Sequence, residues 1–480
     1  MERLKNYVGG ALVGAIGGGE LANEDPAVGA AYGTVPDSDA RDVDAAVRSA
    51  NAALPGWLAT PARERARYLR RIAAHIEANL ESFARAECID TGKPIAVTRA
   101  VDIPRSAHNF EFFADAATQF ASEAHAMDGG AINYTLRQPL GVVGCISPWN
   151  LPLYLLSWKI APALAAGNCV VAKPSEVTPK TASLLAEACL AAELPAGVLN
   201  IVHGLGPKVG PAMTAHDDVA AISFTGSTRV GQEIAKVAGP LFKKVSLEMG
   251  GKNATLVFAD CNFEEALSTV VRSSFSNQGQ ICLCGSRIYV ERPIYERFVG
   301  ELARRAGALR QGDPLDASTE QGAVVSRAHF EKVMGCIATA REEGARVLTG
   351  GVRAAVPGRC ANGYFIAPTI LEGLSLACRT NQEEIFGPVV TVAPFDTEEE
   401  AIALANGTRY GLATSVWTQD VSRAHRAAAR IKSGIVWVNC WMLRDLRTPF
   451  GGMRESGVGR EGGLDAMRFF TEPKNVCVKP

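Results

Sequence analysis

The stretch SNQGQICLCGSR, Ser276 to Arg287, places two thiols one residue apart, Cys282 and Cys284, in a frame of small and polar residues. Cysteines in such a frame serve as metal ligands, disulfide partners, buried fillers or nucleophiles. A nucleophile needs a depressed pKa and access to substrate, with NH groups nearby to receive an oxyanion. The Gly279-Gln280 frame before Cys282 permits close backbone approach. Cys284 would share a face with Cys282 in an extended segment and diverge from it by about 200° in a helix.

The chain holds 12 cysteines and seven histidines, all dispersed, with no CxxC pair and no histidine cluster at zinc spacing. No metal site is expected. Cys145 in GVVGCI and Cys169 in NCVVAK sit inside apolar runs, as buried free thiols do in a reducing cytoplasm. A cytoplasmic protein is therefore expected. Residue type alone leaves Cys282 open between filler and nucleophile.

The elements that would position these residues alternate. From about residue 140, GVVGCI, NCVVAK, LNIVHG, AAISFTG and KKVSLE are short strand-like runs separated by helical stretches. A second alternating series runs from about 253 to 440. Two doubly wound α/β domains follow from this pattern. Residues 43–125 have helical spacing. Residues 126–139 and the tail read as extended. The N-terminal stretch, with six glycines between Gly9 and Gly19, predicts a hairpin at a domain edge rather than a leader.

A doubly wound domain binds ligands beyond the carboxyl ends of its strands. Asn150, Lys173, Ser175, Glu176, Gly226, Ser227 and Glu248 all follow such runs. Gly226 and Ser227 open a helix, whose NH groups suit a phosphate. Lys173 is a point charge. Glu176 could accept from ribose hydroxyls and would repel a 2′-phosphate, favouring NAD. Each has a bland alternative; Glu176 could simply cap the next helix.

The chain has 480 residues, 47% hydrophobic and 21% charged, with formal net charge -1. This is the balance of a globular protein of two domains, with no sign of nucleic-acid or membrane partners. No apolar run nears the roughly 20 residues needed to span a bilayer.

In order, the motifs SPWN, KPSE, FTGS, LEMGGKN, NQGQICLCGSR, EEIFGPV and PFGGMRESGVGREGG resemble those of the NAD(P)-dependent aldehyde dehydrogenase superfamily over nearly the whole chain. The resemblance implies an α/β fold with a Rossmann-like cofactor domain (1–125 and 140–250), a catalytic domain (251–448) and a small β oligomerisation arm (126–139 and 466–480). It implies Cys282 as nucleophile, Glu248 as general base and Asn150 as oxyanion donor. Cys284 matches a variable position. Lys173 and Glu176 fall on adenosine-ribose contacts, Gly226 and Ser227 on pyrophosphate contacts, and Glu384 and Phe386 on nicotinamide-ribose contacts. Ile146, Ser147, Trp149, Ser175 and Phe224 complete the expected NAD contacts. The family forms homodimers and homotetramers.

The segments VDIPRSAHNFEFFA and VNCWMLRDLRTPFGG resemble the subgroup acting on 2-hydroxymuconic and 2-aminomuconic semialdehydes from aromatic ring cleavage. These carry a carboxylate far from the aldehyde. Arginine supplies a bidentate fork for such a group. Arg105 and Arg444 are the expected clamp, with Arg447 a third candidate or a surface ion pair. Tyr154, Trp158 and Trp441 could wall the tunnel or fill the core. The alternatives are an aminoaldehyde or generalist dehydrogenase, a catalytically silent relative, and a cofactor-free cysteine hydrolase.

Overall fold

The computed structural model describes residues 2–479. The β-branched runs of the first half form five parallel strands. Their spatial order is Lys244–Met249, Val219–Gly226, Val142–Ile146, Cys169–Lys173 and Leu199–Ile201. The glycine-rich N-terminus is an edge hairpin as predicted, Asn6–Val8 with Ala11–Val13, turned by Gly9 and Gly10 at φ +60 and +79. Gly457–Val458 closes the opposite edge, antiparallel to Lys244–Met249.

Central strands such as Val142–Ile146 and Cys169–Lys173 are buried at every residue, because helices cover both faces of the sheet. The helical region divides into Ala40–Ala59, Ala62–Ala78, Leu80–Thr91 and Ile103–Gln119. Asp39 starts the first with a capping box, and Val43, Ala46, Val47 and Ala50 turn toward the sheet. A π-helical turn, Thr98–Asp102, opens the last.

The second sheet runs Arg346–Thr349, Thr369–Glu372, Val389–Phe395, Arg287–Glu291, Ala254–Val257, Ala413–Trp417 and Ile435–Val438. All pairs are parallel except the first, which is antiparallel. A separate antiparallel sheet joins Ala124–Ala126, Ile132–Pro139 and Thr471–Val478.

Two features differ from the sequence reading. Residues 466–469 belong to a helix, Gly463–Phe469, whose Ala466 and Met467 pack into the first sheet's core, so the extended tail begins at Thr471. Glu20–Asp25 and Ala30–Pro36 form a further small sheet with Glu2–Arg3, and periodicity did not mark it. Its turn also reaches the far half of the chain, through Asp25 to Arg359 at 3.0 Å and Tyr364 N to Pro26 O.

Candidate active site

The chain leaves Val142–Ile146 in one direction and returns on its other side as Val219–Gly226. This is a topological switch point, and the crevice lies at the carboxyl ends of the strands. A cleft of about 670 Å³ opens there. Ile146, Ser147, Trp149, Lys173, Ser175, Glu176, Phe224, Gly226 and Ser227 all line it. Lys173 Nζ donates to Glu176 Oε2 at 2.8 Å, and Gly206 N donates to Oε1 at 3.1 Å. Burial pushes the Glu176 carboxyl up, but Lys173 and these donors outweigh it and leave it lowered, hence ionised. Ser227 caps Thr228–Ala238, its hydroxyl accepting from Val230 N. A dinucleotide fits this lining: an ionised acceptor for ribose hydroxyls lies near an open helix N-terminus.

A narrower cavity of about 240 Å³ continues inward and joins Trp149, Asn150, Gly226, Cys282, Glu384 and Phe386. Glu384 Oε1 accepts from Gly251 N at 3.0 Å. A Cβ at Gly250 would stand 1.9 Å from Glu384 Oε2, so the paired glycines of MGGKN make room for this carboxylate. His329 and Lys332, which sequence reasoning missed, line the same cavity. His329 Nε2 bonds the Phe386 carbonyl at 2.7 Å and its ring packs 4.9 Å from Trp149. Burial lowers its pKa to about 4, so the ring is neutral and Nε2 donates. Ser326 caps the helix whose first turns hold both residues, which marks a helix start but not a site.

Cys282 lies in the loop before Arg287–Glu291. Asn253 Nδ2 donates to the carbonyls of Cys282 and Cys284, and Trp441 Nε1 to that of Leu283. Gly279, at φ +69, lies so close to Gly387 that a Cβ would stand 2.1 Å from its carbonyl oxygen. Asn150 Nδ2 donates to Gln280 O at 2.9 Å. An amide has two N–H donors, so one is left for a ligand. The Cys282 backbone NH has no acceptor among the described residues. Both donors therefore flank the thiol.

The thiol itself departs from expectation. Burial pushes the Cys282 pKa up, and Glu384 and Glu248 push it further; it is not depressed. Burial thus favours the neutral thiol over the thiolate. Cys284 is raised to about 12, chiefly by burial, and its Sγ faces Ser276 O at 3.9 Å, so it is a packing residue.

Glu248 is buried, and neither carboxylate oxygen has a partner among the described residues. Burial raises its pKa well above the usual range, and Glu461 raises it further. It shares a small cavity with Cys282. Behind it Lys159, fully buried, donates to Glu461 Oε1 at 2.6 Å.

Cavities lined by the thiol, by a carboxylate without a partner among the described residues and by the Asn150 amide thus meet at Cys282, next to a nucleotide-sized cleft. The aldehyde dehydrogenase family model matches residues 15–476. The chain belongs to the aldehyde dehydrogenase family. It is 51% identical over 480 residues to 2-aminomuconic semialdehyde dehydrogenase of Danio rerio, covering 99% of this chain and 98% of that one. It is 49% identical to 2-hydroxymuconic semialdehyde dehydrogenase of Pseudomonas sp. (strain CF600), covering 100% of both. Among solved structures, the NAD+ complex of an aldehyde dehydrogenase from Bacillus cereus superposes with TM-score 0.97 at 38% identity, covering 99% of this chain and 96% of that one.

On the side of this dehydrogenase's thiol away from the large cleft, a small cavity is walled by Leu151, Tyr154, Leu155, Met442, Arg444 and Phe450. Arg444 Nη1 donates to Tyr154 Oη at 3.0 Å, and its guanidinium lies 4.0 Å over the Phe450 ring and 5.7 Å over Trp158. Arg105 lies over both rings of the pair, 5.2 Å from Tyr154 and 5.3 Å from Trp158. Asn109 Oδ1 accepts from its Nε, while Nη2 is buried without a partner. Burial lowers the Arg105 pKa, and Arg444 lowers it further. Neither arginine meets a carboxylate among the described residues. Arg447 does: it is exposed and pairs with Asp445 at 2.6 Å, the surface ion pair. Trp441 braces the nucleophile loop rather than this cavity.

Proposed function

We propose that this dehydrogenase oxidises a semialdehyde carrying a carboxylate, 2-aminomuconate or 2-hydroxymuconate 6-semialdehyde, to the dicarboxylic acid in aromatic ring-cleavage catabolism. One observation carries the reading. Arg105 and Arg444 both lie over the Trp158 ring, Arg444 lines the cavity that Cys282 lines, and neither meets a carboxylate among the described residues. Two half-buried cations held near each other invite an anion. A cationic aminoaldehyde would meet repulsion there.

In the mechanism, the Cys282 thiol gives its proton to water in the site and its sulfur attacks the aldehyde carbon, so that a C–S bond forms as the carbonyl π bond breaks. The carbonyl oxygen becomes an oxyanion, received by Asn150 Nδ2 and the Cys282 NH. Glu176, Lys173, Gly226 and Ser227 of the large cleft, with Glu384 and Phe386 of the narrower cavity, would hold NAD, which would supply the acceptor for the hydride that leaves the thiohemiacetal carbon as the thioester forms. Glu248 takes a proton from water, the hydroxide adds to the thioester, and the C–S bond breaks to release the acid. Glu176 repels a 2′-phosphate and so selects NAD over NADP.

The three-stranded sheet exposes Ile132, Tyr134, Leu136 and Val478. These support association into a homodimer or homotetramer, which sedimentation would resolve. The 12 free thiols support a reducing, cytoplasmic setting.

The test is NADH formation by wild type and Arg444→Ala, with 2-hydroxymuconic semialdehyde beside an uncharged unsaturated aldehyde of similar length. The substitution is expected to lower kcat/KM about 100-fold, roughly 2.7 kcal/mol, on the carboxylated substrate alone. Equal losses on both would overturn the clamp.

A further inference from the structure

A buried charge cluster lies behind the Asn150 loop and takes no part in the chemistry above. Lys93 is fully buried. Its Nζ donates to Asp102 Oδ2 at 2.6 Å and to the backbone carbonyl of Asn150 at 2.9 Å. It stands 3.8 Å from Glu87 Oε1. The same Asn150 carbonyl accepts from Asn277 Nδ2 at 3.0 Å, on the nucleophile loop. Glu87 Oε2 accepts from Leu153 N, three residues beyond Asn150, at 3.5 Å.

One ammonium thus faces two buried carboxylates. Glu87 Oε1 and Asp102 Oδ1 have no hydrogen-bond partner among the described residues. Burial, then repulsion by Asp102 set against attraction by Lys93, raises Glu87 to about 8. A buried ionic cluster of this kind is a poor source of stability, because well-packed apolar side chains would hold the fold as well. It does supply direction. The Asn150 carbonyl lies between a charged donor and an amide donor, so its peptide plane cannot turn without breaking both bonds. The side chain of Asn150 leaves from that fixed backbone.

We propose that Lys93 is a positioning residue for the reaction: it pins the backbone of Asn150 from behind, so that the side-chain amide faces the carbonyl oxygen of the aldehyde on Cys282. The inference rests on the reading of Asn150 as oxyanion donor and is independent of the substrate class. Through Asp102, the same ammonium is tied to the π-helical turn that opens the helix bearing Arg105.

A double-mutant cycle between Lys93→Met and Asn150→Ala tests this, with NADH formation as readout. In the wild-type background Lys93→Met is expected to lower kcat about 10- to 100-fold, with KM for NAD changed less than about threefold. In the Asn150→Ala background the same change is expected to cost less than about threefold, because there is no amide left to position. A merely structural role would cost the same factor in both backgrounds, and that result overturns the proposal. So does an undiminished kcat in Lys93→Met. If Asn150→Ala itself leaves kcat intact, the oxyanion reading fails and the inference with it. Thermal melting and NAD fluorescence titration establish that each variant is folded. Should Lys93→Met not fold, Lys93→Met/Asp102→Asn removes both charges and enters the same cycle with the same expected outcomes.

Discussion

At the carboxyl ends of the first sheet, strand ends and short loops deliver Ser147, Lys173, Glu176 and Ser227 to the cleft. In the second sheet the chain reaches the site from the other direction. Gly251 precedes Ala254–Val257, Cys282 precedes Arg287–Glu291, and Glu384 and Phe386 precede Val389–Phe395. These amino-end loops hold non-glycine residues in the left-handed region: Asn277 at φ 50, Gln278 at φ 54 and Phe386 at φ 61. Each such conformation costs on the order of 1–3 kcal/mol and persists only where the surroundings enforce it. The cofactor side thus uses what any doubly wound sheet offers. The nucleophile side is built from strained loops pressed together at Gly279 and Gly387.

The comparison makes predictions that separate the two ends. Glu248→Gln is expected to have the largest effect, about 10²- to 10⁴-fold in steady-state turnover, while the first-turnover burst of NADH survives. Loss of the burst as well would move Glu248 into thiol activation. Next comes Gly279→Ala, whose Cβ has no room beside the Gly387 carbonyl. A displacement of the nucleophile loop by about 1 Å is expected to cost about 100-fold in kcat with NAD affinity retained. If NAD affinity falls instead, the two ends are not separable.

The pH profile should follow the nucleophile side. Cys282 and Glu248 both react in the deprotonated form, and both pKa values are raised, chiefly by burial. Activity is therefore lost as pH falls from the alkaline side, about tenfold per unit on the acid limb, with that limb above pH 7. A limb near the ordinary carboxylate range would contradict the burial argument. The smallest effect is expected at the cofactor side. Glu176→Ala should raise KM for NAD about tenfold, leave kcat unchanged and relax discrimination against NADP.

The same contrast explains what the sequence made legible. Strand-end positions such as Lys173, Glu176 and Gly226 follow from periodicity and the carboxyl-end rule, because those elements are short and regular. Cys282 and Glu384 do not follow from it, since they precede their strands; only their motifs marked them. The raised thiol pKa was not legible either, because burial depends on contacts made across the whole chain. Nor were His329 and Lys332, whose helix carries no site signal until it is folded against Phe386. The small sheet of Glu20–Asp25 and Ala30–Pro36 was missed because its polar, glycine-containing strands lack clean alternation.

The ion pair of Lys159 with Glu461 joins positions 302 residues apart. During synthesis, the segment holding Lys159 leaves the ribosome long before its partner. An ammonium with no counter-charge resists entry into an apolar interior, and the edge of Lys244–Met249 stays uncovered until Gly457–Val458 arrives. Completion of the cofactor half therefore waits for the segment that holds Gly457–Val458 and Glu461. A nascent or prematurely terminated chain is held short of an assembled reactive thiol and exposes an open strand edge. The segment 457–461 thus covers the sheet edge and neutralises Lys159 together, and chains lacking it are expected substrates for chaperones and proteases.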